Sequence, residues 1–356
     1  MHGAVSVPVR LRTTGGTTFA DERVVAGRPS LVREEHSVAA GDSWTPPHDI
    51  VEEGVEELLQ GAYDLHVHAG PDRRPRRYDT LDLVQRFVDA GFAGAVVKDH
   101  FLPTSGRAQA MKRLYPDFDC FSTIVLNGSV GGLNVTAVES ALDSGVQWFF
   151  MPTVSARFFR EAEGHGPPDR PNEDLVLTND DGTLKDEVHE ILEVLSGQDV
   201  VLASGHVSPE ESVALFEEAQ RREVSRNIVT HGTINFVRMP VEIQQRIAQL
   251  GGYIEHAYVS CCLAPTVGLD EIWSEMQAVG LSSCYLASDL GQPHNPAPIT
   301  GWRAAVGGLL SLGATHDDIR TLVAEVPRRI IDGLPRYPGT WITDEWEPGD
   351  SPLAVS

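Results

Sequence analysis

Residues 61–72 read GAYDLHVHAGPD. Side chains of a strand point alternately to its two faces. Alternation would put Ala62, Asp64, His66 and His68 in one row and Tyr63, Leu65 and Val67 in an opposite, apolar row. A polar row facing away from an apolar one marks either a surface strand or a strand whose polar row lines an enclosed site. The runs that follow it decide between the two.

Seven further β-rich runs follow: FAGAVVKDH (92–100), DCFSTIVLN (119–127), VQWFFMPT (146–153), DVVLASGH (199–206), RNIVTH (226–231), GGYIEHAYV (251–259) and SCYLASD (283–289). Between them lie amphipathic stretches such as TLDLVQRFVDAG and PVEIQQRIAQLG, several ending on the glycine that commonly stops a helix. SPEE (208–211) predicts a helix start, with Ser208 as N-cap, Pro209 in the first turn and Glu211 completing a capping box. Strand, helix and strand recur about every 30 residues, the length of a βαβ unit. The expected fold is therefore α/β, a (β/α)8 TIM barrel over residues 61–335. A β-containing N-terminal extension (1–60) would precede it and a Pro-, Gly- and Trp-rich tail (336–356) would follow. An open doubly wound sheet is the rival, but no GxGxxG follows any strand, which removes its commonest nucleotide-binding form.

The 356-residue chain is 41% hydrophobic, enough for a sizeable core, and its 28 basic and 51 acidic residues leave a net charge of −23. A nucleic-acid partner would call for a basic face instead. No apolar run reaches the ~18 residues of a membrane span. The start MHGAVSVPVRLRTTGG lacks the basic and apolar regions of a secretory signal. The expectation is a cytoplasmic protein with neither membrane nor nucleic-acid partner. The four cysteines form no CxxC pair and read as reduced. The densest basic cluster, PDRRPRRYD (71–79), reads as a solvated loop or, more sharply, as an anion clamp.

A barrel presents its functional groups at the C-terminal ends of its strands. Those ends carry His66 and His68, Lys98 and His100, Asn127, His206, His231 and Asp289. Imidazoles and a carboxylate converging on one axis make a divalent metal site. Asn127 is a candidate hydrogen-bond donor to a substrate or a strand-ending turn residue. His100 is open between substrate contact, proton shuttle, metal ligand and orienting group. Of Glu255 and His256, adjacent on one strand, only one can face inward. Within 154–198 the stretch LKDEVHEILEVLSG reads as a helix, and the first half, VSARFFREAEGHGPPDRPNEDLVLTNDDG, is too long for a routine connection and would lie at the barrel mouth, with Arg157, Arg160 and His165 as its contacts to a bound small molecule.

The run DLHVHAGPD…VVKDH…VLN…GGLN…GHVSPEE…TH…SDLGQ resembles the amidohydrolase superfamily of metal-dependent hydrolases, and within it a poorly characterised bacterial group. The resemblance implies that His66, His68 and Asp289 hold one metal and that His206 and His231 hold a second. The bridging ligand of the superfamily usually comes from the fourth strand, and VQWFFMPT offers neither Lys nor Glu. Lys98 on the second strand would bridge instead, as a carbamate formed from its neutral amine; otherwise it stays an ammonium paired with Asp64, Asp289 or a substrate carboxylate. The ions would be zinc first, with manganese or iron as alternatives.

The implied activity is hydrolysis of a small-molecule amide, lactam, carbamate or ester, C–N bonds first, by a metal-activated hydroxide, with Asp289 moving the proton and His100 assisting. A decarboxylase or deaminase using one ion is the enzymatic alternative, and a metal-stabilised binding protein the non-catalytic one. The resemblance also admits a homo-oligomer.

Overall fold

The computed structural model describes residues 44–165, 174–262 and 267–335, all within one compact unit. The β segments expected before residue 44 and the tail 336–356 lie outside the described residues. Among the described residues nine strands form: β1 (Tyr63–His68), β2 (Gly94–Lys98), β3 (Asp119–Phe121), β4 (Thr123–Val125), β5 (Trp148–Phe150), β6 (Val201–Ala203), β7 (Asn227–Val229), β8 (Tyr253–Ala257) and β9 (Cys284–Ala287). Between and around them run α1 (Val55–Leu59), α2 (Thr80–Asp89), α3 (Ser105–Leu114), α4 (Val135–Asp143), α5 (Arg157–Ala162), α6 (Asp186–Leu195), α7 (Pro209–Arg221), α8 (Val241–Gln249), α9 (Leu269–Val279), α10 (Pro298–Ser311), α11 (His316–Arg320) and α12 (Val326–Ile331). Each of the eight runs read as a strand contains one, except that the third splits in two.

That split divides the ladder into two parallel sheets, β1-β2-β3 and β4-β5-β6-β7-β8-β9, rather than one continuous eight-stranded sheet. Its cause is local. The Ser122 N–H, between β3 and β4, donates to the Gln147 side chain (2.9 Å) instead of a strand. Thr123 then pairs with the loop residue Thr104 through its N–H to Oγ1 (2.8 Å) and its carbonyl from the Thr104 N–H (3.0 Å). At the other seam the chain beyond β9 bonds to β1: the Asp289 N–H donates to the His66 carbonyl (2.7 Å), and the His68 N–H to the Leu290 carbonyl (2.8 Å). The arrangement is a distorted, TIM-barrel-like one flanked by helices.

Two apolar clusters flank the strands. Tyr63, Leu65, Val96, Phe121, Trp148, Phe150 and Tyr285 pack inside, joined by Val326 and Ile330 of α12. Ala62, Val67, Val97, Phe149, Leu202, Ile254 and Leu286 pack outward against the helices. Cys120 and Cys284 are buried on β3 and β9, and all four cysteines are free thiols. Ser208 and Glu211 form the expected capping box on α7, and Glu211 also accepts the Leu177 N–H (2.6 Å), which ties down the long connection. Among the described residues no helix is long and apolar enough to cross a membrane.

The simple alternation read for β1 does not hold. The register with β2 shifts between Asp64 and Val67, a β-bulge. Asp64 therefore turns outward with Ala62, where its carboxylate accepts from Ser288 Oγ (2.5 Å) and Trp302 Nε1 (2.8 Å) of α10. Burial lifts its carboxyl to about 7 despite these bonds. Past the bulge His66 and His68 face inward, above Tyr63 and Leu65. Asp64 is thus not a neighbour in the histidine row, nor a partner for Lys98.

Candidate metal centre

Three imidazoles aim their Nε2 atoms at one carboxylate. His66 and His68 from β1 lie 3.2 and 3.0 Å from Asp289 Oδ1, and His231, just past β7, lies 3.5 Å from Asp289 Oδ2. The opposite ring nitrogens are held by acceptors. His66 Nδ1 donates to Glu255 Oε1 (2.9 Å), and His68 Nδ1 to the Lys98 carbonyl (2.9 Å). His231 Nδ1 lies 3.1 Å from the same Glu255 oxygen, off the line of a straight hydrogen bond, while its backbone N–H reaches that oxygen at 3.3 Å. A proton kept on Nδ1 leaves Nε2 with a lone pair, the form in which imidazole binds a cation.

Potential ligand atoms of His66, His231 and Asp289 all lie within 4.8 Å of one another, and all three residues are buried. They would form one divalent-metal site. Burial raises the Asp289 carboxyl, and positive charge on the imidazoles of His66, His231 and His68, where they are protonated, holds it well below the ordinary range; with the three rings neutral, a bound cation would have to supply that charge. Glu255 behaves alike: burial works against its charge, and His66 and His231 outweigh it. Tyr285 Oη completes the Glu255 environment by donating to Oε2 (3.0 Å).

His231 and Asp289 reach the centre because the backbone leaves the strand there: their φ angles are +59° and +48°, in the left-handed region that non-glycine residues seldom adopt. His206 is placed by a similar turn one residue earlier, at Gly205 (φ +68°), where an added Cβ would stand 2.3 Å from the Met151 carbonyl oxygen. His206 is buried with neither ring nitrogen hydrogen-bonded, 5.1 Å ring to ring from His231 and packed between Phe159 and Phe236. Two unpartnered nitrogens in a buried ring fit a ligand awaiting a cation.

Lys98 is fully buried. Its Nζ donates to His66 Nε2 (3.1 Å) and lies 4.3 Å over the Phe150 ring. Burial pushes its ammonium down to about 8, with Asp289 and Glu255 pulling the other way. His100 stacks on His68 (4.9 Å) and hydrogen-bonds Thr153 Oγ1 through Nδ1 (2.9 Å). Burial, then Lys98 and His68, hold its imidazole well below the usual range, so it is neutral.

Asn127 is buried and lines the cavity adjoining the centre. Its amide donates to the His100 carbonyl (2.9 Å) and Thr153 Oγ1 (2.7 Å), and its oxygen accepts the Thr153 (2.8 Å) and Ser155 (3.1 Å) N–H groups. Those bonds make it a brace that joins the ends of three strands.

A cavity of about 510 Å³ opens over the centre, with His68, His100, His206, His231 and Asp289 on its wall. The long connection covers part of it through Phe159 and Glu163. Arg160 and His165 reach an adjoining cavity, whereas Arg157 lines neither and pairs with Asp174 (3.4 Å) on the outer side. Glu255 is the inward member of its pair. His256 faces the helix layer, its ring nitrogens unpartnered, and burial lowers its imidazole to about 3.

Residues 61–255 match the model of a family of unknown function, DUF6282. The chain belongs to this family. The matched span holds every histidine of the centre and Glu255, and stops before Asp289. No curated protein matches the chain. Among solved structures the DUF6282 chain is similar to an amidohydrolase from Pseudomonas aeruginosa (13% identity, 79% of this chain and 98% of that one, TM-score 0.56). It is also similar to the probable dipeptidase PvdM from the same organism (13% identity, 79% and 96%, TM-score 0.57). At such identities the likeness is one of fold.

Proposed function

We propose that this protein is a metal-dependent hydrolase of the amidohydrolase type, acting on a small-molecule amide, lactam, carbamate or ester, with C–N bonds first. The observation that carries the reading is the convergence of three Nε2 atoms on the Asp289 carboxylate, two of them backed by Glu255. His66, His68, His231 and Asp289 would hold a divalent cation there, zinc first. His206 and a carboxylated Lys98 would serve a second ion. The unpartnered ring of His206 and the depressed Lys98 amine support that second position.

A bound divalent cation supplies Lewis acidity, which acidifies water and polarises a carbonyl. The chain supplies the rest. Asp289 is an ionised carboxylate at the cavity wall, able to take a proton from water and return it to a leaving group. Glu255 fixes the His66 ring and keeps its proton on Nδ1, and it holds His231 through that residue's backbone N–H. His100, neutral and on the same wall, is placed to pass a proton or to bind substrate. Phe159 and Phe236 narrow the cavity beside His206 and limit water there.

A one-ion reading, with decarboxylase or deaminase chemistry, is favoured by a different observation: among the described residues only His66, His231 and Asp289 bring three ligand atoms within 4.8 Å of one another. Elemental analysis separates the two readings. The binuclear reading expects about two ions per chain, about one in Lys98→Ala, and turnover on an amide, lactam and ester panel that is lost in Asp289→Asn. Full metal content and activity in Lys98→Ala would leave the one-ion reading. Purified protein without any bound metal would end both.

A further inference from the structure

The basic stretch after β1 is split by its own hydrogen bonds into arginines that hold the fold and arginines that do not. Arg76 is tied to Asp72 (2.7 Å), and Arg77 donates to the carbonyls of Pro293 (2.9 Å) and Asn295 (2.6 Å). Arg107, from α3, donates to Asp99 (2.7 Å) and the Pro71 carbonyl (2.8 Å). Arg73 and Arg74 are different. Their guanidinium groups lie 5.2 and 5.8 Å over the Phe101 ring, and among the described residues no acidic side chain forms an ion pair with either. Both side chains are solvent-exposed and so accessible to an anion.

Their position gives them a use. The cavity over the histidines and the adjoining cavity of about 440 Å³ share Arg74, Val154 and Phe159 as walls. The first cavity carries the histidines and Asp289, the adjoining one Arg73 and Arg160, and Arg74 lines both. In a chain of net charge −23 the long-range field repels anions, so a local pair of guanidinium groups is what could retain one.

We propose that Arg73 and Arg74 form an oxyanion subsite, so that the substrate is a small molecule carrying a carboxylate or phosphate some distance from the bond held over the histidines. This deepens the hydrolase reading and rests on it for the bond broken, though not for the anion bound. Phe101 beneath the two guanidinium groups keeps them flat and pre-oriented, the arrangement suited to bidentate contact with an oxyanion.

Calorimetric titration of the full-length protein with succinate, inorganic phosphate and neutral succinamide, at constant ionic strength, tests the subsite. Saturable binding of succinate or phosphate, with succinamide at least tenfold weaker, is expected. Arg73→Gln/Arg74→Gln should weaken oxyanion binding at least tenfold without changing metal content, and Arg73→Lys/Arg74→Lys should recover part of it. The comparison of succinate with phosphate names the preferred oxyanion. Oxyanion binding indifferent to the arginine changes overturns the proposal, as does succinamide binding equal to succinate. If that binding instead vanishes in His231→Asn, the anion lies at the histidines and the hydrolase reading stands alone. Arginine-dependent binding in a protein that purifies without metal would keep the subsite and remove the hydrolase reading.

Discussion

Glu255 is the residue on which the geometry of the centre turns, because one carboxylate oxygen serves two rings on two different strands. Glu255→Gln keeps the shape and removes the charge, and a neutral amide holds the His66 imidazole proton and the His231 backbone N–H less well. The expected result is a metal affinity lowered about 10–100-fold with the fold intact, read by competition with a chelator and by far-ultraviolet circular dichroism. Gly205 makes a contrasting case, since there the constraint is steric. An alanine would need the left-handed backbone and would thrust its Cβ to 2.3 Å from the Met151 carbonyl oxygen and 2.4 Å from that of Pro152. Gly205→Ala should cost about 3 kcal/mol in a denaturant titration and displace His206, lowering metal content. The histidines themselves were legible in the sequence, because each ends an apolar run and strand ends are where a barrel concentrates chemistry. Glu255 was not. The alternation that places it inward with Tyr253 depends on which face of β8 meets the inner core, and YIEHA offers a bulky or ionisable residue on both.

At the scale of elements, the strands and the period between them were readable from turn signals and apolar runs, whereas the departures from regularity were not. The bulge between Asp64 and Val67 leaves no mark in DLHV, yet it alone sends Asp64 to Trp302 while His66 and His68 face inward. The gap at Ser122 is equally silent, since it arises from a side chain, Gln147, that comes 25 residues later. The helix layer carries its own ionic cluster. Glu218 on α7 accepts from Arg221 (2.5 Å) and Arg222 (2.6 Å), with His189 of α6 at 3.2 Å. The Arg222 hydrogen bond leads in holding its carboxyl down at about 2. A carboxyl whose folded pKa lies below its unfolded value stabilises the fold above the unfolded pKa, and that stabilisation is lost as pH falls through the folded one. Both arginines are partly solvent-exposed, so screening reduces the effect. Glu218→Gln should therefore lower stability by about 1–2 kcal/mol at pH 7, and the difference from wild type should shrink below about pH 4.5 and disappear near pH 2 in urea titrations.

For the whole molecule, the centre and the closure of the strand system coincide. The two hydrogen bonds joining β1 to the chain beyond β9 are made by the backbones of His66, His68, Asp289 and Leu290, three of them residues whose side chains converge on the ion position. Asp289 holds a left-handed backbone there, a conformation that persists only where its surroundings over-determine it. A cation between the imidazole lone pairs and the carboxylate would supply that restraint; without one, neutral Nε2 lone pairs face a negative oxygen, which is repulsive. Removing metal should thus act first at this seam. Binding to the native state alone stabilises by about 2.7 kcal/mol when free metal is at 100 times its dissociation constant. Chelation should accordingly lower the melting temperature by about 5 °C or more, and restoring one equivalent of zinc should recover it. Hydrogen exchange should locate the change: amides of His68 and Asp289 should lose protection on chelation, while those of β5 and β6, bonded on both sides in the six-stranded sheet, keep theirs. Uniform loss across all strands would mean that the ion supports the fold globally and not through the seam, and no loss anywhere would detach the imidazole–carboxylate cluster from metal binding.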